Sequence, residues 1–242
     1  MVYYIRHNQP TDLDTVLEGN CNSFRRLLLI ILFFSLFFLV SCTDTTPHIS
    51  SLHKTLIYEF PSEDEKAEVK LSVFINPSQD IRRSKSIEIL HPETNFIWKI
   101  DNPQIYEDNK KSYFGYSALS VPEKFDFPEG LFELTYFDVA DRSIKENFEI
   151  NLLKSMVTKE DVFVKAEDVR SGKAGTECSQ KRIIIFDEIG KEIFFGFYSS
   201  LINSDEKILK LFPDAVTKQI YYSNSNNSAV IILPKETIKT NK

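Results

Sequence analysis

Few side chains in this sequence have the type and spacing that chemistry demands. Cys178 sits in Gly175-Thr176-Glu177-Cys178-Ser179, a polar stretch without histidine, so a nucleophile there would need its base brought through space. An incidental loop or half-buried thiol is the reading adopted. His48 and His53 belong to or border a polar tether and His91 reads as a turn residue before Pro92, so the chain hardly has the ligands a tetrahedral zinc site of His and Cys would need. No Gly-x-Ser-x-Gly elbow, His-Glu-x-x-His, Cys-x-x-Cys or phosphate loop occurs. Asp138 and Asp141 could hold a hard cation if backbone carbonyls completed the shell, but the segment lacks the oxygen density of calcium loops. Turn chemistry is expected instead, with Asp141 accepting a left-handed backbone. The acidic run Glu63-Asp64-Glu65 offers the same two readings and is taken as a solvated loop. Two carboxylates meeting in space could act on a glycan, yet no pair is identifiable. No catalytic, metal-binding or cofactor-binding residue is therefore assigned, and no cofactor is expected.

Aromatic residues are the more suggestive material. Tyr113, Phe114 and Tyr116 surround Gly115, while Phe125 and Phe127 flank an aspartate just before Pro128. Rings on loops or edge strands can stack on sugars or act as hot spots in protein contacts. These five residues form the candidate binding surface. The competing placement is the core, and exposure of two or more of them together would favour recognition.

Residues 27–40 form an apolar run interrupted only by Ser35, preceded by Arg25 and Arg26 and followed by Ser41 and Cys42. At about 14 residues the run falls short of the roughly 20 that span hydrocarbon as a helix, so a cleaved export signal fits better than a permanent span. Leu39-Val40-Ser41-Cys42 reads as a full lipobox, and on these residues the chain resembles bacterial lipoprotein precursors. The resemblance implies cleavage before Cys42, a diacylglyceryl thioether on its sulfur, and acylation of the new amino terminus. Each buried methylene contributes about 0.8 kcal/mol, so one acyl chain binds marginally and several hold firmly. Residues 1–24 depart from that family, whose signals begin a few residues before their arginines. Either translation starts later, at a codon such as Val16 or Leu17, or the extension is a cytoplasmic segment. With Cys21 removed and Cys42 lipidated, only Cys178 remains, so no internal disulfide can form and packing must supply stability.

Composition narrows the remaining classes. The 242 residues, 42% hydrophobic and 13% aromatic, are enough for one large packed domain or two small ones. Net charge is −6, and Arg6, Arg25 and Arg26 balance Asp12, Asp14 and Glu18 ahead of Cys42, so the mature part keeps all of it. Lysines scattered among carboxylates form no positive stripe, which argues against nucleic acid as a partner. Seven glycines leave little material for loops that wrap dinucleotides or triphosphates.

The elements that must position these residues are mostly strands. Residues 1–41 read as the signal with its extension, and 42–53 as a lipidated polar tether. Strand patterns then cover 56–60, the alternating Val69, Leu71, Val73 and Ile75, and residues 87–90, 96–100 and 112–120. A hairpin follows, 131–137 with 143–150, turned by residues 138–142. Short strands joined by turns rich in Pro, Asn and Asp predict an all-β sandwich over 54–152. Pro128-Glu129-Gly130-Leu131-Phe132 resembles the penultimate strand of bacterial immunoglobulin-like domains, with Phe132 where tyrosine is common. Phe132 lacks the hydroxyl of a tyrosine corner, and the antibody disulfide is absent.

From 153 to 242 the character changes. Residues 158–170 suggest a short helix with Thr158 and Asp161 as a capping box, although 162–164 could equally be strand. A hairpin of 182–186 with 191–198 follows, then a helix led by Asn203 and Glu206 and ended near Pro213, then a hairpin of 219–222 with 229–233. This segment is either a small α+β domain or an extension of the sandwich, and periodicity does not separate the two. The expected protein is mainly β, an immunoglobulin-like β-sandwich followed by a smaller α+β segment. It would be held on a membrane by lipid on Cys42 and would act as a non-enzymatic binding or structural module of the cell envelope, inner or outer membrane unresolved. Its partner would be an envelope or extracellular protein or glycan. The rival is a lipid-anchored enzyme or accessory subunit acting on cell-envelope polymer. Converging carboxylates in a concave pocket would favour the rival, and a flat aromatic patch the binder.

Overall fold

The structure is a computed structural model that describes residues 46–157 and 163–239. Cys42 with its lipobox, and the capping pair Thr158 and Asp161, lie outside the described residues. Pro47–Lys242 form one compact unit. In chain order the strands are β1 (Ile49–Glu59), β2 (Glu68–Pro77), β3 (Ser84–His91), β4 (Phe96–Ile100), β5 (Gln104–Asp108), β6 (Lys111–Leu119), β7 (Gly130–Asp138) and β8 (Ser143–Ile150). There follow α1 (Ala166–Arg170), β9 (Gln180–Phe186), β10 (Glu192–Phe197), α2 (Asp205–Leu211), β11 (Thr217–Ser223), β12 (Ala229–Ile232) and β13 (Glu236–Thr237). Among the described residues no helix is long and apolar enough to cross a membrane.

The chain is mainly β and builds two sheets. The larger runs β10-β9-β11-β12-β1-β2-β6-β5, with β13 added beside β11, and the smaller runs β4-β3-β7-β8. The strands pair antiparallel except β1 with β12, which are parallel with Leu56 opposite Ala229 and Glu59 opposite Ile232. The residues beyond 153 thus continue the sheet that β1 and β2 begin.

Alternation explains why these segments are strands and which way they face. In β2, Leu71, Val73 and Ile75 are fully buried while Lys70, Ser72 and Phe74 lie on the other face and are half-buried. In β7, Phe132, Leu134, Tyr136 and Asp138 alternate inward in the same way. A period of two puts all inward side chains on one side of the pleat, and that burial is the main driving force for pairing. Between the sheets, Phe114 of β6 meets Tyr136 of β7 edge to face at 6.1 Å. The Trp98 indole N–H donates to the Ser120 carbonyl at 2.8 Å. Phe132 stacks on Phe148 at 5.4 Å and on Trp98 at 6.0 Å.

β1 begins at Ile49, inside the segment whose polar composition reads as tether, and Pro47 before it is already buried. The reason is pairing rather than composition. Ser51, Leu52, His53 and Lys54 find register partners in Asn76, Ile75, Phe74 and Val73 of β2, so a half-polar segment is held by its ladder.

The β7–β8 hairpin is closed by a buried carboxylate. Asp138, fully buried, accepts from the backbone N–H of Ala140 and Arg142 and from the Arg142 guanidinium at 2.6 and 2.9 Å. Asp141 takes the left-handed backbone at φ 56° and pairs with Lys85. Burial alone would raise the Asp138 carboxyl, but the bonds from Arg142 and Ala140 outweigh it and hold the group below its ordinary range. Its folded pKa lies below the unfolded one, so its stabilisation is present above the ordinary carboxylate range and is lost as pH falls through the folded value. Asp138→Ala is expected to lower the unfolding free energy by about 2–3 kcal/mol at neutral pH, measured by urea denaturation, with the difference from wild type shrinking in acid.

Candidate functional site

Two features of strand pairing build an open recess on the larger sheet. Asn109 and Lys110 both have positive φ, 49° and 66°, and form the two-residue loop between β5 and β6. Such a loop matches the right-handed twist of the strands it joins and fixes their register. That register sets Tyr106 directly opposite Tyr113. On the other side of β6, Gly115 faces Phe74 of β2, and a Cβ there would lie 2.0 Å from the Val73 carbonyl oxygen. Only glycine lets β6 approach so closely.

The result is a chain of four rings on the face of the larger sheet that points away from the smaller one. Phe74 meets Tyr106 at 6.4 Å, Tyr106 meets Tyr113 at 6.0 Å, and Tyr113 meets His53 edge-on at 5.2 Å. These rings floor an open groove of about 750 Å³, whose lining also includes Ile105. That volume is in the range of small-molecule and oligomer sites. Thr55, Ser72, Gln104, Asp108 and Asn227 supply its polar lining. Thr55 donates to the Asn227 carbonyl at 2.8 Å, and the Ser117 hydroxyl donates to the Gln104 side-chain oxygen at 3.0 Å. Among the described residues no lysine or arginine lines the groove, and Asp108 is the one carboxylate in its lining.

The five aromatic residues singled out in the sequence do not share one surface. Tyr113 enters the groove, and Tyr116 is half-buried on β6. Phe114 and Phe127 are core residues, 4% and 6% exposed, because the pleat turns Phe114 toward Tyr136 and Phe127 stacks on Trp98 at 5.8 Å. Phe125 is 65% exposed but sits on the loop before β7, apart from the groove-lining set. Tyr106, 55% exposed, and Phe74 replace them as groove rings. The signal for Tyr106 was present in Ile105-Tyr106-Glu107 followed by a two-residue turn, but Asn-Lys is a weaker hairpin mark than Asn-Gly.

Other reactive groups resolve into structural roles. The Cys178 thiol is buried and donates to the Ala229 carbonyl at 3.6 Å. Burial pushes its pKa up, away from thiolate reactivity. His91 is buried with Nε2 2.8 Å from the Glu129 carbonyl and Nδ1 2.8 Å from the Thr94 hydroxyl. A carbonyl only accepts, so Nε2 carries the proton and Nδ1 accepts from Thr94. Glu63 and Asp64 pair with Arg170 at 2.8 Å and Lys165 at 3.0 Å, fastening their loop to α1. Among the described residues no group of three or more His, Cys, Asp or Glu side chains could hold a metal ion.

No protein-family model matches the chain, and no curated protein matches it. The groove therefore has to be read from its own chemistry. Gly115→Ala is expected to push β6 from β2 and to cost about 1–3 kcal/mol of stability in urea denaturation, the usual range for overpacking. An unchanged midpoint would show that β6 does not lie so close.

Proposed function

We propose that this chain is a lipid-anchored, non-enzymatic binding module of the bacterial cell envelope, with the four-ring groove as its recognition surface. The observation that carries the binding reading is the groove itself. It combines exposed and half-buried rings with amide and hydroxyl groups, and among the described residues it holds a single carboxylate, where acid–base chemistry on a polymer needs two that converge. Attachment rests on Leu39-Val40-Ser41-Cys42 after the apolar run, with lipid on Cys42 as the anchor. An anchored body has reduced translational freedom and a raised local concentration at the membrane, so that weak contacts suffice.

The same reading takes residues 54–152 as an immunoglobulin-like β-sandwich. Strand order supports it: β1-β2-β6-β5 against β4-β3-β7-β8 corresponds to A-B-E-D against C′-C-F-G. Phe132 stands near the start of the strand that corresponds to F, where it stacks in the core instead of bonding through a hydroxyl. Residues 153–242 are then an α+β addition that extends the A-strand edge, with Lys218 between Asp205 at 2.7 Å and Glu236 at 3.3 Å tying β11, α2 and β13 together. Burial opposes the charge on Lys218, but those two carboxylates raise its pKa on balance.

Bacterial cells fed radiolabelled palmitate should label the wild-type chain and not Cys42→Ala. The labelled protein, solubilised in detergent, should capture an envelope component that Tyr106→Ala fails to capture. Equal labelling of both forms would remove the anchor from this proposal, and equal capture by Tyr106→Ala would remove the groove.

A further inference from the structure

The groove's ligand can be narrowed by its charge and its shape. Anionic polymers are held best by lysine and arginine, and among the described residues the lining has neither. A cationic ligand would find a single exposed carboxylate, Asp108, beside rings whose mutual edge and tilted contacts already engage their faces in part. A protein hot spot is a dry apolar pocket with its polar groups at the rim of a large interface. Here the polar groups are interleaved with the rings: Ser72 precedes Phe74 by one pleat on β2, Gln104 precedes Tyr106 by one pleat on β5, and Thr55 follows His53 by one pleat on β1.

Phe74, Tyr106 and His53 therefore each share a strand face with a hydroxyl or an amide one pleat away, about 7 Å along the strand, whereas Tyr113 lies between Lys111 and Gly115 on its face of β6. That alternation suits a ligand whose own surface alternates between apolar C–H faces and hydroxyls at similar spacing. We infer that the groove binds a neutral glycan chain, its sugar rings lying on Tyr106, Tyr113 and Phe74 and its hydroxyls bonding Gln104, Ser72 and Asn227. The inference rests on the binding-module reading and names the ligand class of that same groove.

The side chains are prepared for it. With the Gln104 oxygen held by Ser117, its amide N–H2 is the end available to donate to a sugar oxygen. Asn227, at φ 55° and fixed to Thr55 through its carbonyl, lines the groove beside β12. Asp108, at the hairpin end of β5, can accept from hydroxyls without requiring a charged partner. The groove is open to solvent rather than enclosed.

The test is an oligosaccharide array carrying neutral and anionic glycans of bacterial and other origin, probed with the detergent-solubilised full-length protein. Retention on neutral oligosaccharides is expected, with little on anionic ones. Tyr106→Ala should weaken binding roughly tenfold, the order expected for loss of one stacking ring. Tyr106→Phe should keep most of it. Tyr106 is exposed on the edge strand β5, so truncation should leave the thermal midpoint unchanged, which serves as the folding control. Three results overturn the inference: no retention on neutral glycans, preference for anionic ones, or equal binding by Tyr106→Ala. If envelope capture yields a protein lost in Tyr106→Ala while the array stays blank, the glycan is wrong and the binding module stands. If both are blank, both fall.

Discussion

β1 is the strand on which both halves of this molecule depend. One edge pairs antiparallel with β2 from Ile49 to Glu59, and the other pairs in parallel with β12 through Leu56 to Glu59. Near its C-terminal end Tyr58 is almost wholly buried, and its phenol oxygen accepts from the Leu153 N–H at 2.7 Å. Burial pushes that phenol up to about 12, so it stays neutral through the physiological range. The bond fastens the segment after β8 to the middle of the large sheet. A parallel pair cannot be closed by a tight turn, so β12 reaches β1 only after the chain has built β9, β10, α2 and β11. The edge that β1 would otherwise expose to other chains is covered by the molecule's own C-terminal strands.

That arrangement gives the larger sheet two unlike faces. One is covered by the smaller sheet at the β5 end, and toward β9 it joins a core that includes Ala166 and Val169 of α1 and Ile208 of α2. Ile183, Ile185 and Ile231 on this side are fully buried. The opposite face carries half-buried Ile57, Ile184, Val230 and Ile232 in its middle and the groove rings at one end. Polar devices keep this face wet between them. Lys70 lies 2.7 Å from Glu59 and 3.2 Å from Glu68, and the bond to Glu59 is the main reason its pKa is raised. The groove is thus a consequence of sheet register: the same pleat that buries Leu71, Val73 and Ile75 must turn Ser72 and Phe74 outward.

Much of the β framework was legible in the sequence because alternation is a local signal. Phe96–Ile100 and Ser143–Ile150 occupy the strands their patterns mark, and the 138–142 turn with a left-handed Asp141 forms as turn chemistry requires. The C-terminal hairpins and the helix beginning at Asp205 also follow their signals, with Ser204 rather than Asn203 as the capping residue. What local patterns do not carry is the partner of each face. Phe114 has the same composition cues as Tyr113, yet register turns one inward and the other outward, and Phe127 is drawn into the core from its loop by stacking on Trp98. β5 escaped because its five residues are all exposed and only its pairing with β6 makes it a strand. The continuity of the C-terminal strands with β1 is a long-range parallel pairing, and no periodicity encodes it.

Because β1 joins everything, the molecule should behave as one cooperative body from Pro47 onward. Native-state hydrogen exchange tests this directly by comparing the most protected amides of β2 and β7 with those of β9, β11 and β12. The account predicts that both sets open with the same free energy and the same denaturant dependence. A distinctly lower opening free energy confined to β9–β12, with β2 and β7 still protected, would contradict it.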